Sequence, residues 1–268
     1  MNAVRCVAVA VFRESVRDRV YYNLVLFAVL LVGASILIGQ LTAGQDVKII
    51  KDLGLSATSI FGLFIAIFLG INLVSKEVDR RSVYPLLAKP IRRSEFIVGK
   101  YAGLQLTLLA NTVVMTIALY AVLFFLSRDV PERVQAAWDS PALDPALLKA
   151  IALIYLHLAV VTAVALFFST YSSPLLSAIF TMGVYVVGQF NADLKAFDRI
   201  VESPVAVAVA KGCYYLLPDF SRFDIKLAVV HGLPVSPGYV AVTAGYAALY
   251  VAALLFGAVV IFSRRDFK

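Results

Sequence analysis

Six stretches of this chain pass without a charged side chain, save Lys149 at the edge of one: residues 20–41, 58–75, 101–126, 148–168, 174–190 and 239–262. Each runs for 17 to 26 residues, and about 20 apolar residues wound as a helix cross a hydrocarbon layer of ~30 Å. Lipid offers the backbone no hydrogen-bond partner, so such a chain must satisfy its own amides as helices or as a closed barrel. These lengths fit helices, since a barrel strand needs only about 10 residues. The composition agrees, with 61% hydrophobic and 15% charged residues against about 25% charged in a soluble domain. The expected fold class is an all-α membrane protein, a single transmembrane domain over residues 1–268 with six spanning helices.

The charges between the stretches set the orientation, because cytoplasmic loops collect Lys and Arg. With the N-terminus inside, residues 1–19, 76–100, 169–173 and 263–268 hold 14 basic and 6 acidic side chains, while 42–57, 127–149 and 191–238 hold 10 basic and 11 acidic. Both termini are therefore expected in the cytoplasm. The net charge of +7 follows from this asymmetry and does not call for a nucleic-acid partner, which needs a solvated basic face. Residues 204–217 form a seventh apolar run, but it is short, contains Lys211, and as a span would move Arg264, Arg265 and Lys268 outside. A re-entrant or surface-lying element within an extracytoplasmic segment 191–238 fits better. At the other end, charges surround the apolar run Cys6–Phe12, which predicts a helix of residues 1–19 in the membrane interface. A signal peptide fits less well, because charges and not a small-residue cleavage site follow that run.

Reactive chemistry is sparse. The chain has two histidines, His157 and His231, and neither H-E-x-x-H nor G-x-S-x-G. Cys6 and Cys213 lie far apart with no C-x-x-C spacing, and no Asp or Glu falls inside a span. No metal site and no catalytic residue is predicted. A phosphate-binding loop is missing too, since the one Gly-Lys pair, Gly99-Lys100, precedes Tyr101. If ATP drives this protein, another polypeptide binds it.

Within the spans, Gly62, Ala66 and Gly70 recur every four residues, as do Ala244, Ala248 and Ala252. Small residues at this spacing let two helix backbones approach closely, so helix packing is expected there. Asn72, Gln105, Asn111 and Gln189 are suited either to bond a neighbouring helix or to line a path, and both readings stay open. His157 stands in the same position, either as a neutral imidazole bonded within the bundle or as a contact to a transported molecule.

The densest pattern lies between the second and third spans. Glu77 stands four residues before Arg81, an orientation that favours a helix-surface ion pair. Ser82 can cap a short helix that tolerates Pro85 in its first turn and presents Val83, Leu86 and Leu87, Pro90 closes it, and Ser94 with Glu95 suits the start of the next helix. A basic interfacial helix that holds lipid headgroups has the same composition.

The order Glu77-x-x-x-Arg81-Ser82, Leu86-Leu87-Ala88-Lys89-Pro90-Ile91-x-Arg93 and Gly99-Lys100 resembles the loop signature of ABC type-2 exporter permeases, with Ser82 for the usual Thr and Arg92 for the usual Ser. The likeness extends over nearly the whole chain, including the surface helix before the first span, the tight Ser169–Pro174 connection and the basic tail from Ser263. It implies a permease subunit that pairs with a second permease copy, identical or related. A separate cytoplasmic ABC ATPase, in two copies, would bind the ATP and Mg, and this chain itself would bind no cofactor. It also implies a coupling role toward that ATPase for Glu77, Arg80, Arg81, Ser82, Val83, Tyr84, Leu86, Leu87, Pro90, Arg93 and Lys100. A membrane scaffold recruiting a cytoplasmic partner is the competing function. An intramembrane enzyme is disfavoured by the missing reactive groups.

Overall fold

The computed structural model describes residues 3–17, 19–40, 46–79, 92–131, 135, 138, 140–191 and 204–264, and all its regular elements are helices. They are α1 (Ala3–Val16), α2 (Arg19–Gln40), α3 (Asp46–Asp79), α4 (Arg93–Asp129), α5 (Ala146–Ser169), α6 (Pro174–Gln189), α7 (Pro204–Leu216), a 3-10 turn (Ser221–Phe223), α8 (Lys226–Val230) and α9 (Pro237–Arg264). Four helices hold stretches long and apolar enough to cross a membrane: Val47–Ile71, Arg93–Arg128, Ala146–Ser169 and Pro237–Ser263. The apolar parts of α2 and α6 are shorter. An all-α membrane protein results.

The second apolar stretch begins earlier than the sequence indicated. Residues 58–75 were expected to span and 42–57 to connect, yet α3 is helical from Asp46 and buries Val47, Ile50 and Leu55. Lys51, which argues for a loop when the sequence is read alone, is fully buried and donates from Nζ to Ser140 Oγ and to the Pro141 carbonyl, both at 2.7 Å. A buried ammonium is tolerable only when its donors are engaged, and the loop before α5 supplies the acceptors.

The bundle is built around α3 and α5, whose apolar stretches are mostly buried, while those of α4 and α9 face outward over most of their surface. The pair runs parallel: a Cβ on Gly62 would collide with Leu158 Cδ1, and one on Gly70 would stand 3.0 Å from Ala165 Cβ. Ala66 between them is buried. Antiparallel to both runs α4, as three contacts show: Leu119 lies on Gly54, the Tyr101 hydroxyl donates to the Ala159 carbonyl at 3.2 Å, and the Tyr155 hydroxyl reaches the Gln105 carbonyl at 3.5 Å. The last helix, α9, follows α5 in parallel, from the Lys149 bond to the Val235 carbonyl at 2.8 Å to the Phe167 ring against Gly257.

The N-terminal helix is docked on the protein. Val7, Ala8 and Val11 are buried, and the glycines that admit them are Gly99 and Gly103 of α4. A Cβ at Gly103 would stand 2.6 Å from both the Ala8 carbonyl oxygen and Val11 Cβ, and one at Gly99 2.7 Å from Val7 Cβ. We expect Gly103→Ala to cost about 1–3 kcal/mol, because backbone as well as side chain must shift. Gly245→Ala on α9, where a Cβ meets nothing within 4 Å, should be neutral or stabilising, since Ala is the better helix former. Thermal unfolding of the two variants in detergent gives the comparison, and equal midpoints would show that the α1–α4 contact contributes nothing.

Candidate functional site

Of the residues expected to form the coupling loop, Arg80 to Ile91 lie outside the described residues, and with them Arg81, Ser82, Val83, Tyr84, Leu86, Leu87 and Pro90. The flanks are described and both are helical: α3 carries Glu77 in its last turn, and α4 starts at Arg93. Arg92 precedes that helix in extended conformation, and its N–H donates to Glu95 Oε2 at 2.9 Å. Glu95 thus caps α4 from within its first turn, and the residue before the helix is Arg92, two residues upstream of Ser94.

Arg93 and Lys100 join this helix start to other elements. Arg93 Nη1 donates to the Ser263 carbonyl at 2.7 Å and approaches that of Phe262 at 3.4 Å. A cation on the last carbonyls of α9 complements the negative end of its helix dipole. Phe96 stacks on Phe262 with ring centres 5.9 Å apart, and the fully buried Lys100 places Nζ 4.5 Å from the Phe96 ring centre. The Gly99-Lys100 pair therefore sits where α1, α4 and α9 meet.

Deeper in the bundle the polar residues separate into two kinds. Thr58, Thr107, Thr162 and Thr181 donate to carbonyls four residues back in their own helices, so they are self-sufficient. Gln105 and Asn111 differ: both amide atoms of each are buried without a hydrogen-bond partner, as is the Thr112 hydroxyl, all on α4. The side chain of Asn72 lies outside the described residues. Gln105 and Asn111 stand apart from His157 and Gln189, which meet at a chamber of their own.

That chamber follows from a mismatch of lengths. α6 has 16 residues and α5 has 24, about 24 Å against ~36 Å. The two are joined by a tight turn over 170–173, so α6 ends about two thirds of the way along α5 from that turn. The space beyond its end is filled by the chain after α7. The Phe220 amide donates to the Gly188 carbonyl at 3.0 Å, Gly188 lies so close to the Pro218 carbonyl that no Cβ fits, and Phe220, Phe223, Val229 and Val230 are buried. Tyr246 and Tyr250 of α9 hold this segment, the first hydroxyl accepting from the Asp219 amide at 2.7 Å and the second donating to the Leu217 carbonyl at 3.2 Å. At its outer edge Arg222 bonds Asp219 at 2.8 Å, and that bond holds the guanidinium pKa above its usual range.

Where segment and short helix meet, a cavity of about 30 Å³ is lined by Ser59, Ile154, His157, Tyr185, Gln189, Phe220, Phe223, Asp224 and Lys226. His157 forms its inner wall, eleven residues from the start of α5. Its ring lies nearly parallel to Tyr185 and Phe223, at 5.6 and 5.9 Å, with Phe220 at 4.9 Å. The sequence marked His157 and Gln189 without joining them. Ser59, Tyr185, Asp224 and Lys226 were missed, because nothing in spacing tells that a polar outer segment returns to the middle of the bundle.

A family model described as the ABC-2 family transporter protein matches residues 7–267. The chain belongs to the ABC-2 transporter family. Among curated proteins none matches the sequence. Membership makes the chain an integral membrane transport component and implies an ABC ATPase partner. In this ABC-2 protein the return of residues 217–230 depends on Gly188. Gly188→Ala should therefore dislodge the segment, and amide hydrogen exchange over 217–223 should rise at least about tenfold while α5 stays protected. Unchanged exchange would show that the contact does not hold the segment.

Proposed function

We propose that this chain is the membrane-spanning permease subunit of an ATP-binding-cassette exporter, carrying its substrate out of the cytoplasm by alternating access. The observation that carries the reading is the family match over residues 7–267, joined to a sequence with no phosphate-binding loop of its own. ATP and Mg then belong to a separate cytoplasmic ATPase, two copies of which act on a pair of permeases. The segment from Glu77 to Arg93 is the coupling element. It connects the last turn of α3 to the start of α4, the helix that also carries α1 and, through Arg93, the end of α9. A push on this segment acts on four helices at once.

Six crossings by α2 to α6 and α9 leave both termini in the plasma (cytoplasmic) membrane's inner side, as the charge asymmetry favours. The 22 residues of α2 suffice at ~33 Å, and α6 crosses with the returning segment completing its outer part. With Cys6→Ser and Cys213→Ser removing the native thiols, an impermeant thiol reagent applied to intact cells should label Asp198→Cys and spare Arg265→Cys. The reverse pattern would overturn the topology.

Leu86 and Leu87 supply the apolar contact that a helix needs to sit in a partner's groove. Leu86→Glu with Leu87→Glu should abolish co-purification of a nucleotide-binding polypeptide with the tagged permease while leaving its insertion and fold intact. A permease that merely anchors the loop in headgroups would keep the ATPase in the double variant. Retained binding with normal export would sink the coupling role.

A further inference from the structure

We propose that the chamber between α6 and the returning segment is a binding station for a neutral hydroxyl-bearing group, the outermost polar contact for the transported molecule. The inference rests on the permease reading for the word transported and on geometry for the site. His157 is 6% exposed and its Nε2 has no hydrogen-bond partner, although it borders the cavity. A buried nitrogen of this kind calls for a partner within bonding reach. The cavity provides room, since one water needs only about 10–15 Å³ measured this way, and 30 Å³ admits about two heavy-atom groups.

The lining selects the ligand's chemistry. Lys226 and Asp224 lie 3.7 Å apart, and the Lys226 amide donates to the same carboxylate at 3.2 Å, so the two charges answer each other and leave no surplus for an anion or a cation. The remaining groups, His157 Nε2, the Gln189 amide and the Ser59 hydroxyl, are neutral and include both donors and acceptors. A hydroxyl, which donates one hydrogen bond and accepts two, matches that set. The Tyr185, Phe220 and Phe223 rings beside it suit the carbon to which such a hydroxyl is attached. Asp224 is exposed, which puts the entrance on the side of the returning segment. Ligand access therefore requires no opening of the α3–α5 seam.

Imidazole nitrogen NMR tests the assignment on the full chain in nanodiscs, because His231→Gln leaves His157 as the single histidine. Titration with ethylene glycol and then glycerol should move the Nε2 resonance saturably, while inorganic phosphate and tetramethylammonium at equal concentration should not. Ser59→Ala and Gln189→Leu should each weaken the glycol response at least about fivefold. Should Gln189→Leu lower the unfolding temperature, Ser59→Ala is decisive by itself. A linear, unsaturable response, a response to phosphate or tetramethylammonium alone, or one unaltered in Ser59→Ala overturns the proposal. Failure here with the ATPase still co-purifying leaves the permease reading standing. Loss of the ATPase with a saturable glycol response would overturn that reading and keep the site.

Discussion

The parallel contact of α3 with α5 is the one on which the remaining packing depends. Between two helices in lipid there is no hydrophobic gain from contact, since the acyl chains are as apolar as leucine, so only close fitting holds them. Gly62, Ala66 and Gly70 supply that fit by removing side chains where Leu158 and Ala165 arrive. Two parallel helices that close in sequence need a third to carry the chain back. That is α4, which lies antiparallel to both and reaches α5 through Tyr101 and Tyr155. Its own first turns then take α1 through Gly99 and Gly103 and the end of α9 through Arg93. The seam thus positions the end of the molecule where α1, α4 and α9 meet as well as its middle.

The short α6 has the opposite effect on the other end. A helix that stops partway across leaves a gap that lipid would have to fill, and here irregular chain fills it instead. Irregular backbone at that depth is tolerable only when protein satisfies its amides and carbonyls. Four backbone groups of the returning segment meet the condition: the Phe220 amide on the Gly188 carbonyl, the Asp219 amide on Tyr246, the Leu217 carbonyl on Tyr250, and the Ser221 amide on the Asp219 carboxylate at 3.2 Å. Three of these partners lie on α6 and α9, so the segment ties those two helices together.

Much of this was legible in the residues, and the failures have physical causes. Charge-free length gave the helical class, and the four-residue recurrence of Gly62, Ala66 and Gly70 pointed to a close crossing. Reading charge as exposure misplaced the start of α3, because Lys51 is buried with its donors engaged by Ser140 and Pro141, about 90 residues away in sequence. Nothing in the spacing of the segment 191–238 indicated that Asp224 and Lys226 border a cavity with His157. Both features come from contacts between distant segments, which no local pattern encodes. The docking of α1 was partly visible: its apolar run was recognised, but Gly99 was weighed only as part of a motif and not as the place where Val7 fits.

The distribution of buried polar groups carries the argument one step further. Thr58, Thr107, Thr116, Thr162 and Thr181 bond carbonyls of their own helices and are served wherever those helices go. The Gln105 and Asn111 side-chain amides and the Thr112 hydroxyl are not served in this way, and they are buried and unpartnered on α4. Each such group costs about 1–3 kcal/mol, a large sum against the ~5–15 kcal/mol that ordinarily separates folded from unfolded protein. All three belong to α4, the helix that α1 and the end of α9 grip. A helix whose polar groups are unserved in one arrangement gains from any movement that brings them to water, to a ligand or to a neighbour. The same holds for His157 Nε2 on α5, so unserved polar groups sit on two neighbouring helices of the bundle, α4 and α5, and not on one.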